Sequence, residues 1–302
     1  MSTFRYRLIP TMARQKWFMS LVMVLSVLGV IGVIVMKSSL LQQSIHRIPD
    51  REGGFEIHVT VQAAEKFRKQ RNELSKTLNK VKQEIAAMSC EMIDLYAKLN
   101  RTLLPSVSTA GGWCRQTSRS EGGSHICDKS LAEQLSIFFQ NQTVASFGDG
   151  PGDYKKYLDS TRRLLIYDAF DGAPYGPETS GGVVRFLDLT APQYGLPIYD
   201  WIISLEVAEH IPSQYEEVYV DNIARHAKIG IVLSWAVPGQ GGLSHVNNRP
   251  LSYVQSVLSG KGFEPDMAAS NVLQKQATLP WLKTNIYVYR RRYNSEARQD
   301  EA

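Results

Sequence analysis

The sequence predicts an α/β protein, a mostly parallel sheet with helices on both faces, preceded by a transmembrane helix and a coiled-coil stem. Three observations lead there. From about residue 130, short apolar runs bounded by turn residues alternate with amphipathic segments, the pattern of a sheet buried on both faces. Between Trp17 and Met36 no charge interrupts a run rich in Val, Leu and Ile. Between Ala64 and Leu99 apolar residues recur in alternating steps of four and three, with neither Gly nor Pro among them.

The 302 residues, 43% hydrophobic and 21% charged, suit one or two globular domains. They exclude a disordered chain, a collagen and a disulfide-dense miniprotein, and the mean hydropathy excludes a protein of many membrane spans. The net charge of +5 is unevenly placed. Arg5, Arg7, Arg14 and Lys16 precede the first acidic residue, a second basic excess lies within 62–100, and Arg290, Arg291 and Arg292 form a third. The remainder is near neutral, so no nucleic-acid partner is expected.

At 1.5 Å per residue, residues 17–36 span roughly 30 Å, the thickness of a bilayer core. The alternative, a cleaved signal peptide, lacks a small-x-small site before Lys37. The basic residues ahead of the span favour a cytoplasmic tail over 1–16, although Lys37, Arg47 and Arg51 lie beyond it. The expectation is a single-pass type II membrane protein of the Golgi or endoplasmic reticulum, with the bilayer as partner through one helix and the rest lumenal. Residues 37–61 read as a linker. Sequons at Asn100 and Asn141 suit a glycoprotein, the second beside a strand that would hide it. In a further linker, 101–129, Cys114 and Cys127 either pair or remain two free thiols.

In the 62–100 stem, Phe67, Leu74, Val81, Met88 and Leu95 occupy one heptad position. Ala64, Leu78, Ile85, Met92 and Leu99 occupy the other, where Arg71 alone is polar. This predicts a homo-oligomeric coiled coil, dimer or trimer; the alternative is one amphipathic helix packed on its own domain. Cys90 falls on the outer face, so no disulfide across the seam is expected.

The domain spans 130–293, ahead of a disordered tail over 294–302. Strands are expected at 143–147, 163–170, 183–187, 201–207, 229–236 and 286–291, and helices at 130–140, 154–161, 213–226 and 253–260. In such sheets ligands bind outside the carboxyl ends of the strands. The first strand ends in Ser146-Phe147-Gly148-Asp149-Gly150-Pro151-Gly152, where glycines permit a tight turn and close approach to the main chain. The second ends in Tyr167-Asp168-Ala169-Phe170-Asp171, placing an acid for a ribose hydroxyl pair; spacing favours Asp171 over Asp168. The third ends in Asp188-Leu189, and the fourth runs into Ser204-Leu205-Glu206-Val207-Ala208-Glu209-His210-Ile211-Pro212.

In these motifs the chain resembles the class I S-adenosylmethionine-dependent methyltransferases over about 130–293. The stretches Leu233 to Gly242 and His245 to Asn248 resemble a secretory-pathway, methyltransferase-like subgroup. The resemblance implies a Rossmann-like sheet and S-adenosylmethionine as cofactor. It assigns Gly148, Asp149, Gly150, Gly152, Asp171, Asp188, Leu189 and Glu206 to cofactor binding. One position departs from the family pattern: Ser146 stands where the family usually carries an acid at the methionine end of the cofactor.

The implied reaction is in-line displacement at a sulfonium methyl group by an unidentified acceptor: glycan, protein or small molecule. Glu209, His210 and His245 are the candidate catalytic residues, with Glu206 a further acid nearby; Glu209 and His210 alternatively cap the next helix. Trp235 and Trp281 either line an acceptor pocket or belong to the core. No metal ligand set is expected. A catalytically silent anchored binding or assembly protein is the competing reading, motivated by Ser146 and the stem. A glycosyltransferase lacks an Asp-x-Asp, a nucleoside-triphosphate enzyme lacks its phosphate loop, and a nicotinamide enzyme rests on fold alone.

Overall fold

The structure is a computed structural model that describes residues 46–49, 55–58, 61–100, 107–108, 111–114 and 125–292. The 17–36 run, the 1–16 and 294–302 tails and most of the 101–129 linker lie outside the described residues. The chain forms two compact units that divide after Gln70. In the first unit β1 (His46–Pro49) pairs antiparallel with β2 (Phe55–His58), a hairpin inside the expected linker. Helix α1 (Val61–Asn100) begins in that unit and continues into the second.

The second unit is built on a seven-stranded sheet. In chain order its elements are α2 (Lys129–Phe138), β3 (Thr143–Phe147), α3 (Asp153–Thr161), β4 (Ile166–Asp171), α4 (Gly176–Thr179), β5 (Val184–Phe186) and β6 (Tyr199–Leu205). Then follow α5 (Glu216–His226), β7 (Ala227–Ser234), α6 (Leu251–Gly260), β8 (Phe263–Pro265), α7 (Met267–Gln276), α8 (Leu282–Asn285) and β9 (Ile286–Arg291). The strand order is β5-β4-β3-β6-β7-β9-β8. Pairings through β7 are parallel, and β9 runs antiparallel to both β7 and β8.

Strand side chains alternate between two cores, as a period of two requires. Ala145, Phe147, Ile202, Ile231, Leu233, Tyr287 and Tyr289 enter one core with Tyr219 and Ile223 of α5. Val144, Trp201, Ile203, Val232, Ile286 and Val288 enter the other with Leu131 and Leu135 of α2. The expected parallel sheet covered on both faces is present, with an antiparallel edge. The strand expected from Arg163 begins at Ile166, because the chain bends at 164–165 before it joins the ladder with β3. The short β8, which contains Pro265, and the weakly patterned α7 carried no clear periodic signal.

From Arg71 onward, α1 packs on this domain. Ser75 Oγ donates to the Pro192 carbonyl and accepts from the Tyr194 amide. Asn79 donates to the Phe186 carbonyl and accepts from the Asp188 amide, while Lys82 Nζ stands 3.5 Å from Asp188 Oδ2. Cys90 is bonded to Cys114, so neither alternative for Cys114 and Cys127 holds: they do not pair, and Cys127 alone keeps its thiol. The reason is that Cys90 turns toward the domain, on the same side of α1 as Ser75 and Asn79. The stem expected to stand apart is thus one helix packed on its own domain through its polar side. Its heptad residues Leu74, Leu78, Val81, Ile85, Met88, Met92, Leu95 and Leu99 remain exposed.

Candidate functional site

The sheet order reverses between β3 and β6, and the loops leaving these strands open a crevice there. The loop after β3 is held by the Gly148 and Asp149 amides, which donate to the Phe170 carbonyl on β4 at 2.8 and 2.9 Å. Gly148 takes a φ of +103°, and a Cβ on it would lie 2.2 Å from Val207, so only glycine fits where this turn passes the β6 loop. Asp171 closes β4 and braces the same loop. Its two carboxylate oxygens accept from the Gly150 and Ala173 amides, each at 2.8 Å. Burial raises its pKa, opposed by those amides and by His125.

Asp149 is buried, accepting from the Tyr167 hydroxyl at 2.7 Å and from the Lys155 amide at 3.3 Å. Burial pushes its pKa up to about 6 against hydrogen bonds from Tyr167 and Ser146. A carboxylate therefore stands beside Ser146, supplied from within the glycine loop instead of from the strand.

These residues border a cavity of about 360 Å³. Ser146, Gly148, Asp149, Gly150 and Asp171 line one side, and Leu187 and Leu189 give it an apolar flank. Glu206, His210, Gln240 and His245 line the far end, and Trp281 contributes to the wall. Among the expected cofactor residues, Gly152 and Asp188 are not in the lining. Gly152 instead precedes α3 as its N-cap, and the buried Asp188 accepts from the Thr190 amide and hydroxyl and faces Lys82. Asp168 is occupied by the Tyr199 hydroxyl and Arg185, outside the cavity. Trp235 is a core residue whose indole donates to the Asn247 carbonyl.

The far end is built by two loops tied together. Glu206 leaves β6 with a φ of +54°, its amide donating to Ser234 Oγ at 2.9 Å. Its carboxylate accepts from Gln240 at 2.5 Å and from Asn285 at 2.8 Å. Ala208–His210 form a 3-10 turn whose side chains cap neither the 3-10 turn Ser213–Tyr215, which Pro212 precedes, nor α5, which Tyr215 precedes. The amides of Val246 and Asn247 donate to the Glu209 carbonyl, and this sets His245 opposite Glu209. Asn247 itself donates to Glu216, and Asn248 to the Val237 and Gln240 carbonyls, which fasten the loop down. A Cβ on Gly242 would fall 1.9 Å from His245 Nε2, so that residue must be glycine for the imidazole to lie where it does.

The three candidate catalytic residues are thus brought together. Glu209 is wholly buried behind the cavity wall, and burial, reinforced by Glu206, raises its pKa well above the usual carboxylate range. The His210 and His245 rings meet edge to face at 5.0 Å, and His245 Nε2 is 4.0 Å from Glu209 Oε1. Burial, with His245 beside it, lowers the His210 pKa to about 4, so the ring is neutral near pH 7.

The segment that borders the crevice at Trp113 was not legible in the sequence. The Ser108 amide donates to the Gly112 carbonyl, Trp113 stacks edgewise on His125 and His210, and Gly111, Trp113 and His125 line the cavity. A Gly-Gly-Trp-Cys run among Gly and Ser was the sole signal, and it reads as linker. Leu279 also lines the cavity, because the Asp128 carboxylate holds the Thr278 and Leu279 amides.

No protein-family model matches the sequence, and no curated protein matches it. Solved structures similar to it include magnesium protoporphyrin IX methyltransferase of Synechocystis PCC 6803 with bound SAH, 14% identical, with a TM-score of 0.42, covering 58% of this chain and 92% of that one. The sugar N-methyltransferase of a Streptoalloteichus species is 12% identical, with a TM-score of 0.44, covering 58% and 91%. A SAM-bound amino pentose methyltransferase of Micromonospora echinaspora is 13% identical, with a TM-score of 0.42, covering 58% and 94%.

Proposed function

We propose that this chain is an S-adenosylmethionine-dependent methyltransferase, anchored in a secretory-pathway membrane with its catalytic domain lumenal. The observation that carries the reading is the cavity at the sheet's switch point. One end has a glycine loop and a strand-end acid, and the other has Glu206, His210 and His245. The donor set fits the cofactor. Asp171 suits a ribose hydroxyl pair, Leu187 and Leu189 suit an adenine ring, and the backbone at Gly148 and Gly150 permits close approach. The departure at Ser146 is offset by the buried Asp149 beside it, which weighs against the catalytically silent alternative.

When bound, the cofactor supplies a methyl group on a cationic sulfur. The protein's part is to hold donor and acceptor in line and exclude water, which accounts for most of the acceleration in such a displacement. The neutral His210 ring presents no charge to repel a sulfonium. The Trp113 turn and the Gln240–His245 loop close the acceptor end.

The lumenal reading is supported by the uncharged 17–36 run and by the Cys90–Cys114 disulfide, which suits an oxidising compartment. Asn141 supports it too: the sequon is exposed on a turn instead of hidden by β3. Homo-oligomerisation through α1 is supported by the exposed heptad seam.

Calorimetry with S-adenosylmethionine tests the proposal. Asp171→Ala should weaken binding by about 1–3 kcal/mol, the worth of a hydrogen bond to a charged group. No binding by the wild-type chain overturns the reading. Labelled cofactor offered with panels of glycans and secreted proteins then identifies the acceptor.

A further inference from the structure

We infer that Glu209, His210 and His245 form a binding site for a divalent first-row transition-metal ion, of the Mn²⁺, Co²⁺ and Zn²⁺ class, at the acceptor end of the cavity. The first observation is an orphan. Glu209 is fully buried, and neither carboxylate oxygen has a well-formed hydrogen bond; the Glu209 and Ala236 amides and the Glu206 carboxyl are the polar groups that stand near it. Buried carboxylates are ordinarily paired, hydrogen-bonded or bound to a metal, because an unpaired one is costly to desolvate. Among the described residues, the one basic side chain within salt-bridge distance of it is His245, whose Nε2 lies 4.0 Å away.

The second observation is the donor geometry. Glu209, His210 and His245 each offer one ligand atom, and these atoms lie within 4.8 Å of one another. Ligands about 2.1 Å from a shared ion stand about 3.0–3.4 Å apart, so movements near an ångström close the set. His245 Nδ1 is also buried without a partner. His210 Nδ1 lies 3.3 Å from the Ser244 carbonyl. That contact places the proton on Nδ1 and leaves the Nε2 lone pair for a metal, the usual outer-shell arrangement of a ligating histidine.

Two imidazoles and one carboxylate select a transition ion over Mg²⁺ or Ca²⁺, which take oxygen ligands. His210 and His245 line the cavity while Glu209 lies behind them, so open coordination positions face the cavity. Glu206, already held by Gln240 and Asn285, stands near as an outer carboxylate. The site rests on these residues alone. That an acceptor oxygen takes an open position rests in addition on the methyl-transfer reading.

The test is a Co²⁺ titration of the purified full chain after chelator treatment, followed by its visible absorption and by calorimetry. One equivalent should bind per chain with a d–d band. Glu209→Gln, which keeps the side chain's shape, and His245→Ala should each weaken binding at least tenfold. Asp168→Asn, outside the cavity, should leave it unchanged. Thermal unfolding by circular dichroism confirms that each variant is folded, and Glu209→Gln decides if His245→Ala is not. No stoichiometric binding, or binding indifferent to Glu209→Gln, overturns the site. Cofactor calorimetry on the same chain separates the proposals: metal without cofactor retains this one and removes methyl transfer, and cofactor without metal does the reverse.

Discussion

Asp128 does three jobs with one carboxylate. It caps α2 through the Leu131 amide and holds the amides of Thr278 and Leu279, next to the cavity wall. Burial raises its pKa, but the amides of Leu279, Leu131 and Thr278 outweigh it and set the pKa below the usual carboxylate range. A folded pKa below the unfolded value adds stability that is complete above the unfolded value, about 3.9, and is lost as the pH falls through the folded one. Asp128→Ala should therefore cost about 2–4 kcal/mol near pH 7. In urea melts, Asp128→Asn should flatten the loss of stability below about pH 4; an unchanged acid limb rejects the assignment. Nothing in the local sequence pattern points from Asp128 to Thr278 and Leu279, which lie 150 and 151 positions on. The same limit hid Trp113 and His125 and misplaced Asp188. By contrast Asp171, Glu209, His210 and His245 were legible, because strand-end positions converge wherever the sheet is doubly wound.

Helix α1 has two working sides. Its apolar heptads were plain in the sequence, whereas nothing there singled out the polar positions Ser75, Asn79 and Lys82, which grip the end of β5 and the segment after it. A polar residue on a helix shows its period, not its partner. With that side engaged, the seam from Leu74 to Leu99 stays open to water, where the proposed coiled coil would place a second copy of the same 3.5-residue repeat. Replacing Leu78 and Ile85 with Asp should convert an oligomer to a monomer in light scattering while the circular dichroism melt stays near wild type. A mass that does not change removes the coiled coil.

At the scale of the molecule, the alternation of β and α segments announced the sheet, whereas the antiparallel edge of β8 and β9 did not follow from local pattern. Order along a chain fixes neighbours poorly where a strand is three residues long, as β8 is. Topology in the cell is argued from the 17–36 run. Protease added to intact microsomes should spare the 130–293 region, and glycosidase should shift the mass through Asn100 or Asn141; digestion of that region from outside sinks the type II reading. The Cys90–Cys114 bond bears on where the gene can be cut. Closing a span of 24 residues, it stabilises the fold by about 3–4 kcal/mol in the chain-entropy view. A fragment begun at Ser130 would discard both half-cystines, the Asn79 bracket on the strand-end turn and the Trp113 roof in one stroke. The smallest piece able to carry this site therefore starts near Arg71, and what a boundary drawn from sequence calls a stem is, for expression and crystallisation, part of the folded domain.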